Sequence, residues 1–215
     1  MPLIPMSKIK NIIFDLGGVL LNINPLLSLL ELERLSGIPS DELILKLGSA
    51  KIFEKFDTGS LDPAQFGREL CRIMNSETSD AEIERIWNLL ILDFPWPRVK
   101  LLQQLRKNYR VYLLSNTNVM HIRKYTREFF ENNGFPMADL FDQVFYSCDI
   151  GIHKPDEGIY THVLHSADLL PAETLFIDDS LANIKAAIKL GIAGIQIRDG
   201  HEVTEYFENG ILREG

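Results

Sequence analysis

The sequence predicts an α/β protein with a doubly wound parallel sheet and an inserted all-helical cap. From about residue 93 onward, short apolar runs alternate with segments of helical periodicity. Before them, one apolar run near the N-terminus is followed by a long stretch of helical period without a convincing strand. Alternating strands and helices favour a parallel sheet with right-handed crossovers. We therefore predict an α/β core formed by residues 1–21 and 93–215, and a cap formed by residues 22–92.

Composition and charge exclude several classes of function. The 215 residues are 46% hydrophobic, and the net charge of −8 comes without a run of lysine or arginine, which argues against nucleic acids and anionic membranes as partners. Residues 1–6 are too few for a signal sequence, and no stretch approaches the roughly 20 apolar residues of a membrane span. Cys71 and Cys148 lack metal-binding spacing and are predicted to be buried, reduced thiols. The five histidines lack such spacing too, and we interpret them as surface or core residues. We expect a soluble, cytoplasmic protein.

The first predicted strand, residues 11–14, ends at a carboxylate. Asp15 follows the apolar run and is itself followed by Gly17 and Gly18. The carboxyl end of a parallel strand is the edge at which α/β proteins bind their ligands. An ordinary turn explains the same residues, because aspartate accepts local backbone hydrogen bonds and glycine adopts a positive φ. This stretch alone leaves both interpretations open.

The predicted cap consists of five apolar helical faces. Asp62 before Pro63 fits an N-cap and a first helical position, and Ser79 with Glu82 has the spacing of a capping box. Helices of this kind must bury their apolar faces against one another. The faces are formed by Leu26, Leu29, Leu30 and Leu32; by Leu43, Ile44 and Leu47; by Ile52, Phe53 and Phe56; by Phe66, Leu70 and Ile73; and by Ile83, Ile86, Trp87 and Leu90.

After the cap, the pattern predicts four further strands and their connecting helices. The strands are predicted at 111–114, 144–146, 175–177 and 193–197, and the helices at 98–107, 119–130, 155–164 and 181–190. The tail from residue 201 predicts a short helix followed by a loosely held end.

Polar residues follow two of these strands. Ser115 and Asn116 begin the next helix, where backbone N–H groups suit an anion, although an N-cap explains them equally well. Asp178 and Asp179 follow a later strand, and an N-cap explains only one of them. Paired carboxylates repel each other unless a cation lies between them, and hard oxygen ligands suit Mg²⁺. Lys154 precedes a predicted helix, but a single lysine is most often solvated.

Four short motifs occur in a fixed order: Phe14–Leu20, Leu113–Thr117, His153–Asp156, and Phe176–Ser180 with Asn183. Their order and strand context resemble the haloacid dehalogenase (HAD) superfamily of hydrolases. The resemblance covers essentially the whole chain and includes a helical cap of the C1 type. The residues of these motifs, together with a run that ends in Tyr160, most resemble those of the α-D-glucose-1-phosphate phosphatase group.

This resemblance implies a phosphatase that hydrolyses a small phosphorylated metabolite, and we expect a sugar phosphate. Asp15 would be the nucleophile and would form an aspartyl-phosphate, which divides one difficult displacement into two easier ones. Ser115, the backbone N–H of Asn116 and Lys154 would bind the phosphoryl oxygens.

The resemblance also implies a Mg²⁺ site. Asp15, the backbone carbonyl of Gly17 and Asp179 would hold the ion, with Asp178 as a water-mediated or alternative ligand. Asn183 would lie outside the direct ligand set. The ion would offset the repulsion between the carboxylates and the phosphate.

Gly17 departs from the usual pattern of the superfamily. Most of its phosphatases carry an aspartate at this position as general acid, and a missing general acid costs about 10²–10⁴ in rate. The α-D-glucose-1-phosphate phosphatase group has the same glycine, which favours an active enzyme. We expect Gly17 to have a positive φ that would strain an aspartate. Two alternatives remain: a catalytically weak or inactive binding protein, and a metal-independent haloacid dehalogenase, which would leave Asp178 and Asp179 unexplained.

Overall fold

A computed structural model describes residues 8–213 of the chain. Five parallel strands form one sheet in the order β3-β2-β1-β4-β5. The strands are β1 (Asn11–Phe14), β2 (Arg110–Ser115), β3 (Gln143–Tyr146), β4 (Thr174–Asp178) and β5 (Ala193–Gln196). The predicted doubly wound parallel sheet is confirmed, and the interpretation of residues 1–6 lies outside the described residues.

The register of the sheet brings the ends of its three central strands to one level. Phe14 of β1 pairs with Leu113 of β2 on one side and with Ile177 of β4 on the other. The next residues of β1 and β4, Asp15 and Asp178, are therefore neighbours at the carboxyl edge. β2 and β3 lie on one side of β1, and β4 and β5, which follow later in the chain, lie on the other side. This reversal of strand order opens a crevice at the carboxyl edge, where open α/β sheets bind ligands.

Helices cover both faces of the sheet. The helices of this part are α6 (Trp96–Leu105), α7 (Val119–Asn133), the one-turn α8 (Ser147–Ile150), α9 (Glu157–Ser166) and α10 (Leu181–Lys189). Alternate residues of each strand face opposite sides. One apolar cluster therefore contains Ile12 and Phe14, and the other contains Ile13.

Between β1 and α6 the chain forms only helices, apart from the connecting segments. These helices are α1 (Pro25–Ser36), α2 (Ser40–Ser49), α3 (Ile52–Asp57), α4 (Pro63–Met74) and α5 (Asp80–Trp87). Asp62 and Gln65 form a reciprocal capping box at the start of α4, and the Ser79 hydroxyl accepts from the Glu82 N–H at the start of α5. Most residues of the predicted apolar faces pack together in a third cluster, which Met120 of α7 joins, but Leu26, Leu30 and Ile44 are exposed.

The two segments that lead into and out of the helices run side by side. The Asn22 N–H donates to the Asp93 carbonyl at 2.8 Å, and the Leu92 N–H donates to the Asn22 carbonyl at 3.0 Å. Ile23 and Ile91 form an antiparallel bridge. The segments before and after the five helices therefore lie together at the sheet edge that carries Asp15. The boundaries of the core and cap domains at residues 21 and 93 stay predictions.

The structure also corrects the expectations for the tail and for the two cysteines. The tail does not form the predicted helix: a single 3₁₀ turn, Val203–Tyr206, leads into a small hairpin of β6 (Phe207–Glu208) and β7 (Ile211–Leu212). Phe207 and Leu212 are buried against the main core, so the tail is packed rather than loose up to residue 213. Cys71 and Cys148 are both free but only half-buried.

Candidate active site

Three carboxylates converge at the carboxyl edge of the sheet. Asp15, Asp178 and Asp179 each offer a carboxylate oxygen within 4.8 Å of the others. Asp178 is fully buried, Asp15 is nearly so, and Asp179 is the most exposed of the three. Three negative charges at this separation cannot all be accommodated without a compensating cation.

Lys154 supplies one positive charge to this cluster. Its Nζ donates at 2.7 Å to Oδ1 of Asp15 and at 2.7 Å to Oδ2 of Asp178, and at 3.0 Å to the Leu114 carbonyl at the end of β2. All three hydrogens of the ammonium group are thus used. Lys154 is 2% exposed, so the solvated alternative is excluded. The lysine joins the ends of three strands and fixes one oxygen of Asp15.

The loop that carries Lys154 is held by the side chain of Asn116. The amide donates to the Lys154 carbonyl at 2.9 Å and accepts from the Lys154 N–H at 2.8 Å. Sequence reasoning assigned only the backbone N–H of Asn116 and missed this contact, because the two residues meet only in the folded chain. The neighbouring Ser115 hydroxyl makes no hydrogen bond in the part of the chain that the structure describes, so it is free to bind a ligand.

Asp178 is saturated by protein donors. Oδ1 accepts from the Ser180 N–H at 2.7 Å, the Asn183 amide lies 3.0 Å from both oxygens, and Lys154 holds Oδ2. The Tyr160 hydroxyl in turn donates to the Asn183 carbonyl at 3.0 Å, which anchors that turn of α10. Asp178 is therefore better suited to orient its neighbours than to bind an ion directly.

The two glycines after Asp15 have different roles. Gly18, not Gly17, has the positive φ, at 76°, so the expectation for Gly17 is wrong. A Cβ on Gly18 would lie 2.5 Å from Oδ2 of Asp179, whereas one on Gly17 would lie 3.1 Å from Cδ1 of Ile23. Gly18 thus keeps space for the Asp179 carboxylate. Across residues 8–213, no N–H or side chain donates to the Gly17 carbonyl.

Burial and mutual repulsion raise the pKa values of Asp15 and Asp179. Burial raises the pKa of Asp15 to about 7, and the charge of Asp178 adds to this effect while Lys154 opposes it. Partial burial raises the pKa of Asp179, and Asp178 raises it further. Burial alone would lower the pKa of Lys154, but the two carboxylates outweigh it and raise that pKa. The lysine is therefore charged at neutral pH, while the carboxylates need more positive charge.

The donor set fits Mg²⁺. It consists of carboxylate oxygens and an unpaired backbone carbonyl, without nitrogen or sulfur ligands, and this chemistry suits a hard divalent cation. The one positive charge of Lys154 does not balance Asp15, Asp178 and Asp179, so a divalent ion would neutralise the remainder.

An apolar pocket adjoins the charged edge, and we call it the cap pocket. Its volume is about 480 Å³, within the usual range of about 300–1,000 Å³ for small-molecule sites. Asn116 belongs both to the pocket wall and to the loop beside Ser115. The rest of its wall comes from Ile23, Pro25, Leu26, Ser28, Leu29, Leu32, Ile44, Leu47, Phe53, Asp57, Trp87, Leu90 and His121. Sequence reasoning read most of these residues as helix packing only.

Two of the polar wall residues tie the helices to α7. The Asn118 amide donates to Oδ1 of Asp57 at 2.9 Å, and Nε2 of His121 lies 3.1 Å from the Trp87 carbonyl. Burial lowers the pKa of His121 to about 4, so the ring is neutral at physiological pH, and burial raises the pKa of Asp57 to about 6. The interpretation of His121 as a core residue holds, although it also lines the pocket.

Comparison with known proteins identifies the family. A model of the haloacid dehalogenase-like hydrolases matches residues 9–191, so the chain belongs to this family. D-ribitol-5-phosphate phosphatase from Bacteroides thetaiotaomicron is 30% identical over 192 residues, which cover 89% of this chain and 93% of the relative. Sesquiterpene phosphatase astK from Aspergillus oryzae is 30% identical over 197 residues, which cover 90% and 92%.

Solved structures agree with the family and with the metal. The HAD family enzyme BT-2542 from Bacteroides thetaiotaomicron superposes with a TM-score of 0.87 at 32% identity, covering 93% of this chain and 98% of that one. Its complex with magnesium and inorganic phosphate has a TM-score of 0.85 at 32% identity, covering 93% and 100%. The chain is thus a phosphatase of this family with Mg²⁺ as its cofactor. No helix within residues 8–213 is long and apolar enough to span a membrane.

Proposed function

We propose that the protein hydrolyses a small phosphomonoester through an aspartyl-phosphate on Asp15. The observation that carries this proposal is the contact of Lys154 with Oδ1 of Asp15 at 2.7 Å. It fixes and partly neutralises one oxygen, while the other accepts no side-chain hydrogen bond from residues 8–213. A buried carboxylate with one fixed and one free oxygen is suited to attack phosphorus in line with the leaving group.

In the first step, an oxygen of Asp15 forms a bond to phosphorus and the bond between phosphorus and the alcohol oxygen breaks. In the second, water attacks the aspartyl-phosphate, which releases inorganic phosphate and restores the carboxylate. In both steps the Ser115 hydroxyl and the Asn116 N–H bind the phosphoryl oxygens, and Lys154 exchanges one of its three hydrogen bonds for one to a phosphoryl oxygen. The departing alkoxide takes up a proton from solvent water, because Gly17 supplies no side chain for that transfer, and the water that attacks in the second step releases its proton to solvent.

Asp15, the Gly17 carbonyl and Asp179 would hold the Mg²⁺ ion, with Asp178 acting through water and Asn183 orienting Asp178. When bound, the ion supplies positive charge that offsets the repulsion between phosphate and carboxylates. The saturation of Asp178 by Lys154, Asn183 and the Ser180 N–H supports this division of roles.

Residues 22–92 form the proposed cap domain, of the C1 type, and we propose that it opens to admit substrate and closes to exclude water. Two substrate classes have support. The resemblance to the α-D-glucose-1-phosphate phosphatase group and the relative named D-ribitol-5-phosphate phosphatase favour a sugar or polyol phosphate. The relative named sesquiterpene phosphatase favours an apolar one. A cytoplasmic location stays a prediction.

The test is hydrolysis of p-nitrophenyl phosphate with Mg²⁺ and with chelator, in the wild type and in Asp15→Asn. We expect Mg²⁺-dependent turnover that Asp15→Asn lowers on the order of 10⁴-fold or more, because an amide is nearly isosteric but a poor nucleophile. Acid quenching of the wild type should trap a phosphoprotein that the variant lacks. Turnover that survives chelation would favour a metal-independent reaction. The absence of turnover with every phosphomonoester tried would favour the inactive binding protein.

A further inference from the structure

The cap pocket offers a ligand almost no hydrogen-bonding capacity. The Ser28 hydroxyl donates to the Ile86 carbonyl at 2.8 Å and accepts from the Leu90 N–H at 3.1 Å. His121 is held between Asn118 and the Trp87 carbonyl. These polar wall groups already have partners within the protein.

The other two polar side chains are also engaged. Both ends of the Asn116 amide bracket the backbone of Lys154, and one oxygen of Asp57 accepts from Asn118. The indole N–H of Trp87 has no acceptor among residues 8–213, but it is shielded from solvent. The second oxygen of Asp57 is therefore the main polar group left for a ligand.

A polyol chain would bind weakly in such a pocket. Each of its hydroxyl groups leaves hydrogen bonds with water on entry, and a buried hydroxyl without a new partner is costly. Apolar groups gain free energy on the same transfer in proportion to the area removed from water. The wall of the cap pocket thus selects against the class of ligand that has many hydroxyls.

The rim of the cap pocket is apolar as well. Leu26 of α1 and Ile44 of α2 line it and are 52% and 55% exposed. Large exposed aliphatic side chains beside a concave apolar surface indicate a binding groove rather than ordinary solvated surface.

The cap pocket adjoins the site of phosphoryl transfer. Asn116 belongs to the pocket wall and follows Ser115 directly in the sequence. Ile23 of the wall lies next to Gly17, the position that would face the leaving group. A phosphate bound at Ser115 and Lys154 would therefore direct its ester group toward the helices.

On these grounds we propose that the leaving group of the substrate is a hydrocarbon alcohol, such as a linear or branched aliphatic or isoprenoid alcohol, rather than a sugar. The proposal rests on the phosphatase function given above and deepens it. The phosphate is held by Lys154 and Ser115, and the hydrocarbon fills the cap pocket.

The first experiment compares kcat/KM with Mg²⁺ for ethyl, butyl, hexyl, octyl and geranyl phosphate, and for D-ribitol 5-phosphate and glucose 1-phosphate. Each methylene that enters the pocket should raise kcat/KM by about fourfold, which is about 0.8 kcal/mol, until the pocket is full. Octyl or geranyl phosphate should exceed both polyol esters by at least about tenfold. A flat dependence on chain length, or a polyol ester as the best substrate, would overturn the proposal.

The same assay includes p-nitrophenyl phosphate, so that the two proposals fail separately. Mg²⁺-dependent hydrolysis of this aryl ester with a flat chain-length series refutes only the hydrocarbon leaving group. Loss of hydrolysis for every ester refutes the phosphatase mechanism itself.

Two neighbouring residues of α2 provide a matched pair of variants. Ile44 lines the cap pocket, whereas Leu45 lies beside it in sequence, is 70% exposed and faces away from the pocket. Ile44→Asn should lower the ratio of kcat/KM for octyl over ethyl phosphate by about tenfold, and Leu45→Asn should leave that ratio unchanged. Both substitutions replace exposed side chains, so both variants should fold. Equal effects of the two changes, or no effect of Ile44→Asn, would contradict the proposal.

Discussion

The two ends of the candidate site differ in what determines their geometry. At the sheet edge, Lys154 and Asp178 make directed bonds of 2.7–3.0 Å, and their partners come from strand ends and from helix α10. In the cap pocket, aliphatic and aromatic side chains from helices make contacts without preferred direction. Removing one partner of a buried ion pair leaves the other charge uncompensated, which is strongly destabilising. Removing part of an apolar side chain costs free energy only in proportion to the buried area that is lost. The edge should therefore be intolerant of small changes that the pocket accepts.

Lys154→Ala should have the largest effect and tests the intolerance of the edge. It removes the lysine that contacts both Asp15 and Asp178, so the pKa of Asp15 should rise above its value of about 7 in the metal-free protein. We expect kcat to fall on the order of 10²–10³-fold and the Mg²⁺ concentration needed for half-maximal activity to change.

Steady-state kinetics over a Mg²⁺ titration measures both effects of Lys154→Ala. The control is Lys185→Ala, which removes an exposed lysine on α10. Unchanged kinetics in Lys154→Ala would mean that the buried ion pairs serve only to hold the strand ends together, and the contrast between edge and pocket would lose its main support.

Gly17→Asp should have an intermediate effect, at the boundary between the two regions. Because Gly17 lacks a positive φ, backbone strain is not expected, and the nearest obstacle is the flexible end of Ile23. The new carboxyl group could protonate the leaving group, so alkyl phosphates should gain about tenfold in kcat and aryl phosphates, with better leaving groups, much less.

Two controls separate the carboxyl group from its attachment. Gly17→Ala adds only the Cβ and should lower activity slightly for all esters. Gly18→Ala places a Cβ 2.5 Å from Oδ2 of Asp179 at a φ of 76°, and it should abolish activity. If Gly17→Asp lowers the rate equally for alkyl and aryl esters, position 17 does not face the leaving group.

The edge was predictable from sequence, and the cap pocket was not. Asp15, Ser115 and the Asp178-Asp179 pair each follow a predicted strand, and a parallel sheet brings its strand ends together. The role of Lys154 was predicted only through the resemblance to the family. The pocket depends on how helices pack, and Leu29 or Leu47 has the same periodicity whether it faces another helix or a ligand. The hairpin of Phe207 and Leu212 was missed for a related reason, since two-residue strands carry no period.

Asp57→Asn should have the smallest effect. It tests whether the wall of the cap pocket excludes water from the Asp57 carboxylate. Burial raises the pKa of Asp57 from 3.8 to about 6, and the hydrogen bond from Asn118 and the nearby His153 oppose this only in part. A raised carboxyl pKa means that ionisation is less favourable in the folded than in the unfolded protein. This group therefore lowers stability as the pH rises from about 4 to about 6, and its contribution is constant above that range.

Asparagine cannot ionise but can still accept the hydrogen bond from the Asn118 amide. The free energy of unfolding of Asp57→Asn, relative to the wild type, should therefore increase between pH 4 and pH 6 by roughly 1–3 kcal/mol. Asp15 titrates in both proteins and cancels in this difference. Urea denaturation at several pH values measures it, with the exposed Asp199→Asn as the control. Parallel stability curves for the wild type and Asp57→Asn would mean that water solvates the carboxylate in the folded state. A polyol could then bind at that wall, and the contrast between a charged edge and a dry pocket would not hold.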